Sequence, residues 1–148
     1  LAKYSAAAYE KKVQQFVKRI PSATKRTLGK GAEIVAEEMR RNLSGRVLKR
    51  QSGDLYNAVE KEVSIQPLRA RVGISDKQQY KAQTHEHGRR ITAKRKPYLV
   101  FAVDGRVVKT KSVYVPPRPF AGPALDAKRP EVIDLIRRSL LLEYKASG

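Results

Sequence analysis

The only two histidines of the chain stand together, as His85-Glu86-His87. Histidines and carboxylates are the side chains of metal sites and of general acid–base work. On a helix, residues two apart point about 200° apart and cannot chelate one ion; on a strand they share a face. The chain has no His-Glu-x-x-His, the spacing that puts two histidines one turn apart. It has no cysteine either, so it has no disulfide, no thiolate nucleophile and no Cys-ligated zinc or iron–sulfur cluster. With so sparse a donor set the two histidines read as surface or interface residues. No metal or other cofactor is expected.

Nucleophilic and phosphate chemistry find no better footing. No serine sits in a Gly-x-Ser-x-Gly turn. Gly29-Lys30-Gly31 lacks both the Lys-Ser/Thr and the preceding strand of a phosphate loop. Among the carboxylates, Glu37, Glu38, Glu60 and Glu62 lie between basic residues, and Glu33 and Glu37 have helical spacing, which suits solvated salt pairs. Asp76 and Asp104 fall in expected turns, not in the clustered strand ends of a two-metal nuclease. The expectation is a protein that is not an enzyme.

What is abundant is positive charge. The 148 residues hold 32 Lys and Arg against 14 Asp and Glu, a formal charge of +18. That length fits one domain, and a 41% hydrophobic content permits a core. No apolar run is long enough to span a membrane, and the Lys-rich start is no signal peptide. The expected compartment is the cytoplasm or a particle assembled there. Leu1 opens the chain and Met39 is its one methionine, which raises trimming, an unusual start codon or an unseen leader. The charge requires a polyanion, an acidic partner or an assembly. It gathers in two acid-free stretches, one with Arg46, Lys49 and Arg50, the other with Arg89, Arg90, Lys94, Arg95 and Lys96. Both are expected in loops. Tyr98 is the one aromatic close to the second stretch, too few for a base-stacking platform. No RNA-recognition, zinc-finger or homeodomain signature is present. Passing phosphates and an acidic neighbour both remain open as partners.

The elements that position these residues are set by periodicity. Ala6, Tyr9, Val13, Phe16, Val17 and Ile20 share a helical face. Pro21 predicts a break or kink, with Ser22 as a cap for a second helical segment. The division is thus an N-terminal amphipathic arm, 1–20, and one α+β domain, 21–148. A stripe of Leu28, Ala32, Val35, Met39 and Leu43 continues to Ser44-Gly45, weakened by Gly29 and Gly31 at about 1 kcal/mol each. A helical turn at 54–58, strands ending at Pro67 and Ile74, and a short helix from Lys77 to His87 stopped by Gly88 come next. Tyr98 to Val103, Asp104-Gly105 and Arg106 to Val115 predict a hairpin, closed by Pro116-Pro117-Arg118-Pro119. Pro130 suits the first turn of a closing helix, whose stripe is Ile133, Ile136, Leu140 and Tyr144. The class is α+β: a long N-terminal helix, a small antiparallel sheet with a β-hairpin, and a C-terminal helix.

Several stretches in order carry a resemblance. They are Gln51-Ser52-Gly53-Asp54-Leu55 after a helix, Arg71-Val72-Gly73, Tyr80 to Glu86-His87-Gly88, and Pro117-Arg118-Pro119-Phe120 followed by Pro123-Ala124-Leu125. Over residues 25–143 the chain resembles the head–tail joining, tail-completion or neck proteins of tailed bacteriophages. Lys81 stands where that family has a small residue, Arg89 where it has threonine, and the loop to the hairpin is unusually basic. The resemblance implies a structural virion protein at the head–tail interface, assembled in the host cytoplasm. It implies a homo-oligomeric ring, expected to be sixfold. Its partners would be connector or head-closure proteins, tail tube or terminator proteins, and the genomic DNA passing through. The subunit or partner contacts it suggests are Glu86, Arg118 and Phe120; Phe120 also reads as an aromatic that staples the last helix to the sheet. The segment before Pro21 is expected to dock on a neighbour. The rival expectation is a free basic nucleic-acid-binding protein; a nuclease or nuclease inhibitor is weaker.

Overall fold

The computed structural model describes residues 5–49 and 52–148. Its elements run α1 (Ala6–Arg41), α2 (Asp54–Asn57), β1 (Val59–Ile65), β2 (Leu68–Ile74), α3 (Gln79–His87), β3 (Arg89–Thr92), β4 (Leu99–Val103), β5 (Arg106–Thr110), β6 (Ser112–Val115) and α4 (Ala121–Ala146). The fold is α+β. Two long helices pack on each other, and the strands make antiparallel pairs.

Pro21 does not break the first helix, which runs unbroken from Ala6 to Arg41. A mid-helix proline costs about 3 kcal/mol, but packing on α4 holds the helix on both sides of it. Before Pro21, the Phe16 and Tyr144 rings meet edge to face at 5.4 Å, and Arg19 donates to the Ala146 carbonyl at 3.1 Å. After it, the Thr27 and Ser139 hydroxyls hydrogen-bond at 2.7 Å and Arg26 pairs with Glu143 at 3.1 Å. Ser22 is not a cap; its hydroxyl donates back to the Arg19 carbonyl inside the helix. The segment expected as an amphipathic arm thus packs along its own chain's last helix. Tyr9 and Val17, assigned to its apolar stripe, are exposed. Gly31, expected only to weaken α1, instead lets the helices approach: a Cβ there would lie 2.9 Å from Val132 Cγ1.

The helix ends in a widened turn, Asn42–Arg46, with Gly45 at φ 123°. α4 starts at Ala121, nine residues before Pro130, so Pro130 is interior. Contacts made by Phe120 and Glu86 initiate that helix more strongly than the proline does. Ile133, placed on its packed stripe, is exposed.

The core draws on separated segments: Met39 and Leu43 from α1 and its terminal turn, Leu48, Val59 from β1, Ala82 from α3, and Phe120 and Ala124 at the start of α4. β1 and β2 form a hairpin in register from Val59↔Ile74 to Ile65↔Leu68, packed on α1. The β4–β5 hairpin turns at Asp104 (φ 49°) and Gly105 (φ 77°), the expected tight turn. The strand expected from Arg106 to Val115 is divided. Its first part pairs with β4 up to Leu99↔Thr110, where Pro97 lies just beyond and cannot extend the ladder. After Lys111 the chain changes partner, and β6 pairs with β3, from Arg89↔Val115 to Thr92↔Ser112. The first half of the basic stretch is thus strand, not loop.

The molecule exposes much surface. A compact 16.7 kDa monomer exposes about 7,600 Å²; this chain exposes 10978 Å². Both the pair β3–β6 and the pair β4–β5 make few contacts with the helices.

Candidate partner and nucleic-acid interface

The two basic stretches have different surroundings. In the first, the Arg46 guanidinium pairs with Glu38, a carboxylate only 6% exposed that also meets Arg41 at 3.4 Å. A buried carboxylate left alone is costly, so Arg46 is engaged in neutralising it. Lys49 is exposed on the rim of an open groove of about 630 Å³, floored by Leu43, Leu48 and Leu55. Lys81 and Arg118 line the same groove, and Lys81 is bound to Asp54 at 3.2 Å. Arg50 lies outside the described residues.

The second stretch is assembled by strand pairing. Arg90 lies opposite Tyr114 and reaches Ser112 Oγ at 3.4 Å. The Arg89 guanidinium stacks over the Tyr80 ring at 4.7 Å. Ala93 N–H donates to the Lys111 carbonyl at 3.0 Å, which brings Lys111 to the start of the Lys94-Arg95-Lys96 run. Lys109 lies over the Tyr98 ring at 4.6 Å. From Arg89 to Val115 there are eight cations against one acid, Asp104. Among the described residues every ion pair lies outside this segment. Sequence reasoning found Arg89 to Lys96 but missed Lys109 and Lys111. Their alternation along one strand was visible; the pairing that brings Lys111 to the cluster was not.

The three residues suggested as partner contacts divide differently. Glu86 caps α4: its carboxylate accepts from the backbone N–H groups of Phe120 (2.9 Å), Ala121 (3.2 Å) and Gly122 (3.0 Å). Those N–H groups have no partner inside the helix, and the helix dipole favours an anion there. Phe120 is 1% exposed, in the core. The chain itself thus engages both, Glu86 as a cap and Phe120 in the core, and the stapling alternative for Phe120 agrees with its burial. Arg118 alone of the three is exposed. Its backbone N–H donates to the His85 carbonyl at 2.6 Å. Gly88 permits this crossing: at φ 70°, a Cβ would meet Pro117 Cδ at 2.8 Å and the Val115 carbonyl at 3.0 Å.

His85 is half-buried, and its Nδ1 has no hydrogen-bond partner. Burial, and then the neighbouring Arg118 charge, hold its pKa below the ordinary 6.5. The unfolded chain therefore binds this proton more readily than the folded one. Stability from the neutral imidazole is complete above pH 6.5 and is lost as pH falls through the lowered folded value. The melting temperature of the wild type should fall more steeply between about pH 7.5 and 5 than that of His85→Gln. Parallel curves from thermal melts of the two proteins would refute this.

Among the described residues, no group of three or more His, Asp or Glu side chains is placed to hold a metal ion. Glu33 is held between Lys61 and Arg40, in the salt-paired manner expected of it. No helix of the described residues is long and apolar enough to cross a membrane. The chain matches no known family model, no curated protein and no solved structure.

Proposed function

We propose that the chain is a structural subunit of a tailed-bacteriophage virion, forming a ring at the head–tail interface that joins connector to tail tube and leaves a channel for DNA. The ring is read as sixfold, and the protein as one without catalytic turnover. Its mechanism is geometric: close the ring, seat the tail, keep the passage open. The observation that carries the reading is the surface the subunit leaves uncovered. One face of the β4–β5 hairpin is open, where Val100 is 64% and Val107 76% exposed beside Ala102, with Lys109 at the end of this face nearest the basic cluster. Two strands alone are marginal in water, and both hairpin edges are free to pair. The excess of exposed area is of the order that obligate interfaces bury, roughly 2,000–5,000 Å².

The motif frame supports the same reading, since its parts have jobs in the subunit. Glu86 caps the last helix, Gly88 makes room for the proline stretch, and Phe120 locks that stretch into the core. Native mass spectrometry of the purified chain, followed by electron microscopy with connector and tail components, tests the proposal. Closed rings that join those components are the expected result. A chain that stays monomeric at every concentration and joins neither component would overturn it.

A further inference from the structure

We propose that the junction of the two ribbons, where Arg90, Lys94, Arg95, Lys96, Lys109 and Lys111 gather, is the surface that meets double-stranded DNA through its phosphates. This deepens the ring reading, on which it rests for the presence of DNA in the channel. Charge is segregated at this junction. Elsewhere many cations are paired with acids, and the acid-free part of α1, residues 11–32, spreads its seven cations along a single helix; here Asp104 is the one acid, at the far turn of the hairpin. All six side chains belong to exposed residues. Like charges held this close repel unless a polyanion lies against them.

The composition favours phosphates over an acidic protein. Lysine is depleted from protein–protein interfaces, whose energy comes from buried Trp, Tyr and Arg. Four of these six residues are lysines. A duplex presents a charge about every 1.7 Å along its axis, so a row of flexible ammonium groups finds partners in many registers. The aromatic groups favour duplex over single strand. Single-strand binders stack successive bases on several open rings; here one face of Tyr98 is covered by Lys109, and the exposed Tyr114 opposite Arg90 is a single ring, too few for such a platform. Ammonium groups that find partners in many registers recognise the backbone, and the binding is independent of sequence. Arg46 takes no part, because Glu38 holds it. In a sixfold ring the cluster recurs around one duplex, and a weak contact becomes a continuous collar.

The test uses the full chain and a fluorescent duplex of about 30 base pairs, read by anisotropy between roughly 50 and 200 mM salt. One variant replaces Lys94, Arg95, Lys96 and Lys111 with glutamine. A control replaces Lys11, Lys18, Lys25 and Lys30 of α1, which removes the same charge elsewhere. The expected result is loss of about tenfold or more in affinity for the first variant. The slope of log affinity against log salt should also fall by roughly 3–4. The control should stay close to wild type. Equal losses in both variants, no binding by the wild type at low salt, or tighter binding of poly-glutamate than of DNA would each overturn the proposal. Native mass spectra of the same samples keep the two readings apart. Rings that ignore DNA sink this proposal alone; monomers that bind it through the cluster sink the ring alone.

Discussion

Replacing Phe120 with alanine is expected to destabilise the isolated chain by about 3–5 kcal/mol, and to lower its melting temperature by roughly 6–20 °C. The side chain is 1% exposed and packs where α1, α3 and the start of α4 converge. The backbone of the same residue is separately held, its N–H by Glu86 and its carbonyl by Asn42 Nδ2 at 3.0 Å. The substitution therefore removes the ring and leaves both hydrogen bonds, so the loss measures packing and the cavity left behind. Phe120→Leu, closer in volume, should cost less. Against a total stability of about 5–15 kcal/mol, the alanine variant stands near the edge of folding. Chemical denaturation and thermal melts of the two variants check this. A partner-contact role predicts the reverse pattern, with an unchanged melt and failed assembly; that outcome would refute the core assignment.

Phe120 also shows why part of the fold was legible in the sequence and part was not. Local chemistry was readable where it acts within a few residues. Asp104-Gly105 makes its turn, Gly88 ends α3, and Ser44-Gly45 ends the first helical run. Pro21 and Pro130 misled for one reason. Each breaks a helix by local rules, and each is overridden by contacts far away in sequence: Thr27 with Ser139, Arg26 with Glu143, Glu86 with the first turn of α4. The division of 106–115 at Lys111 failed likewise, since nothing near Lys111 specifies that the next strand pairs with Arg89–Thr92.

The candidate surface obeys the same logic. A run such as Lys94-Arg95-Lys96 is visible because it is contiguous. Whether a cation is available depends on what faces it, and that is long-range. Arg46 looked equivalent to Lys96 in sequence, yet a buried carboxylate one helix turn before the bend holds it. Glu86 looked like a contact residue, yet in this chain its carboxylate caps a helix whose N-cap lies 34 residues further on.

Glutamate at both Val100 and Val107 is expected to dissolve the proposed ring while leaving the subunit folded. The two residues lie on the same open face of the hairpin, with Ala102 opposite Val107 and Lys109 opposite Val100. The other face, with Leu99, Phe101 and Val108, is the half-buried one and stays intact. Exposed substitutions of this kind change subunit stability by only about 0.5 kcal/mol. At an interface the balance differs. Burying a valine is worth at least about 1.5 kcal/mol, so two are worth about 3 kcal/mol, or roughly a hundredfold per contact. Carboxylates brought into that contact add a desolvation cost on top. Because a ring closes only when every contact holds, the loss multiplies around it. Threonine at both positions keeps shape and strand propensity and should weaken assembly less, giving a graded series. Native mass spectrometry reads the series directly, and an unchanged melting temperature shows that the fold survives. Rings that form undiminished with glutamate at both positions would show that the hairpin face is not where one subunit meets the next.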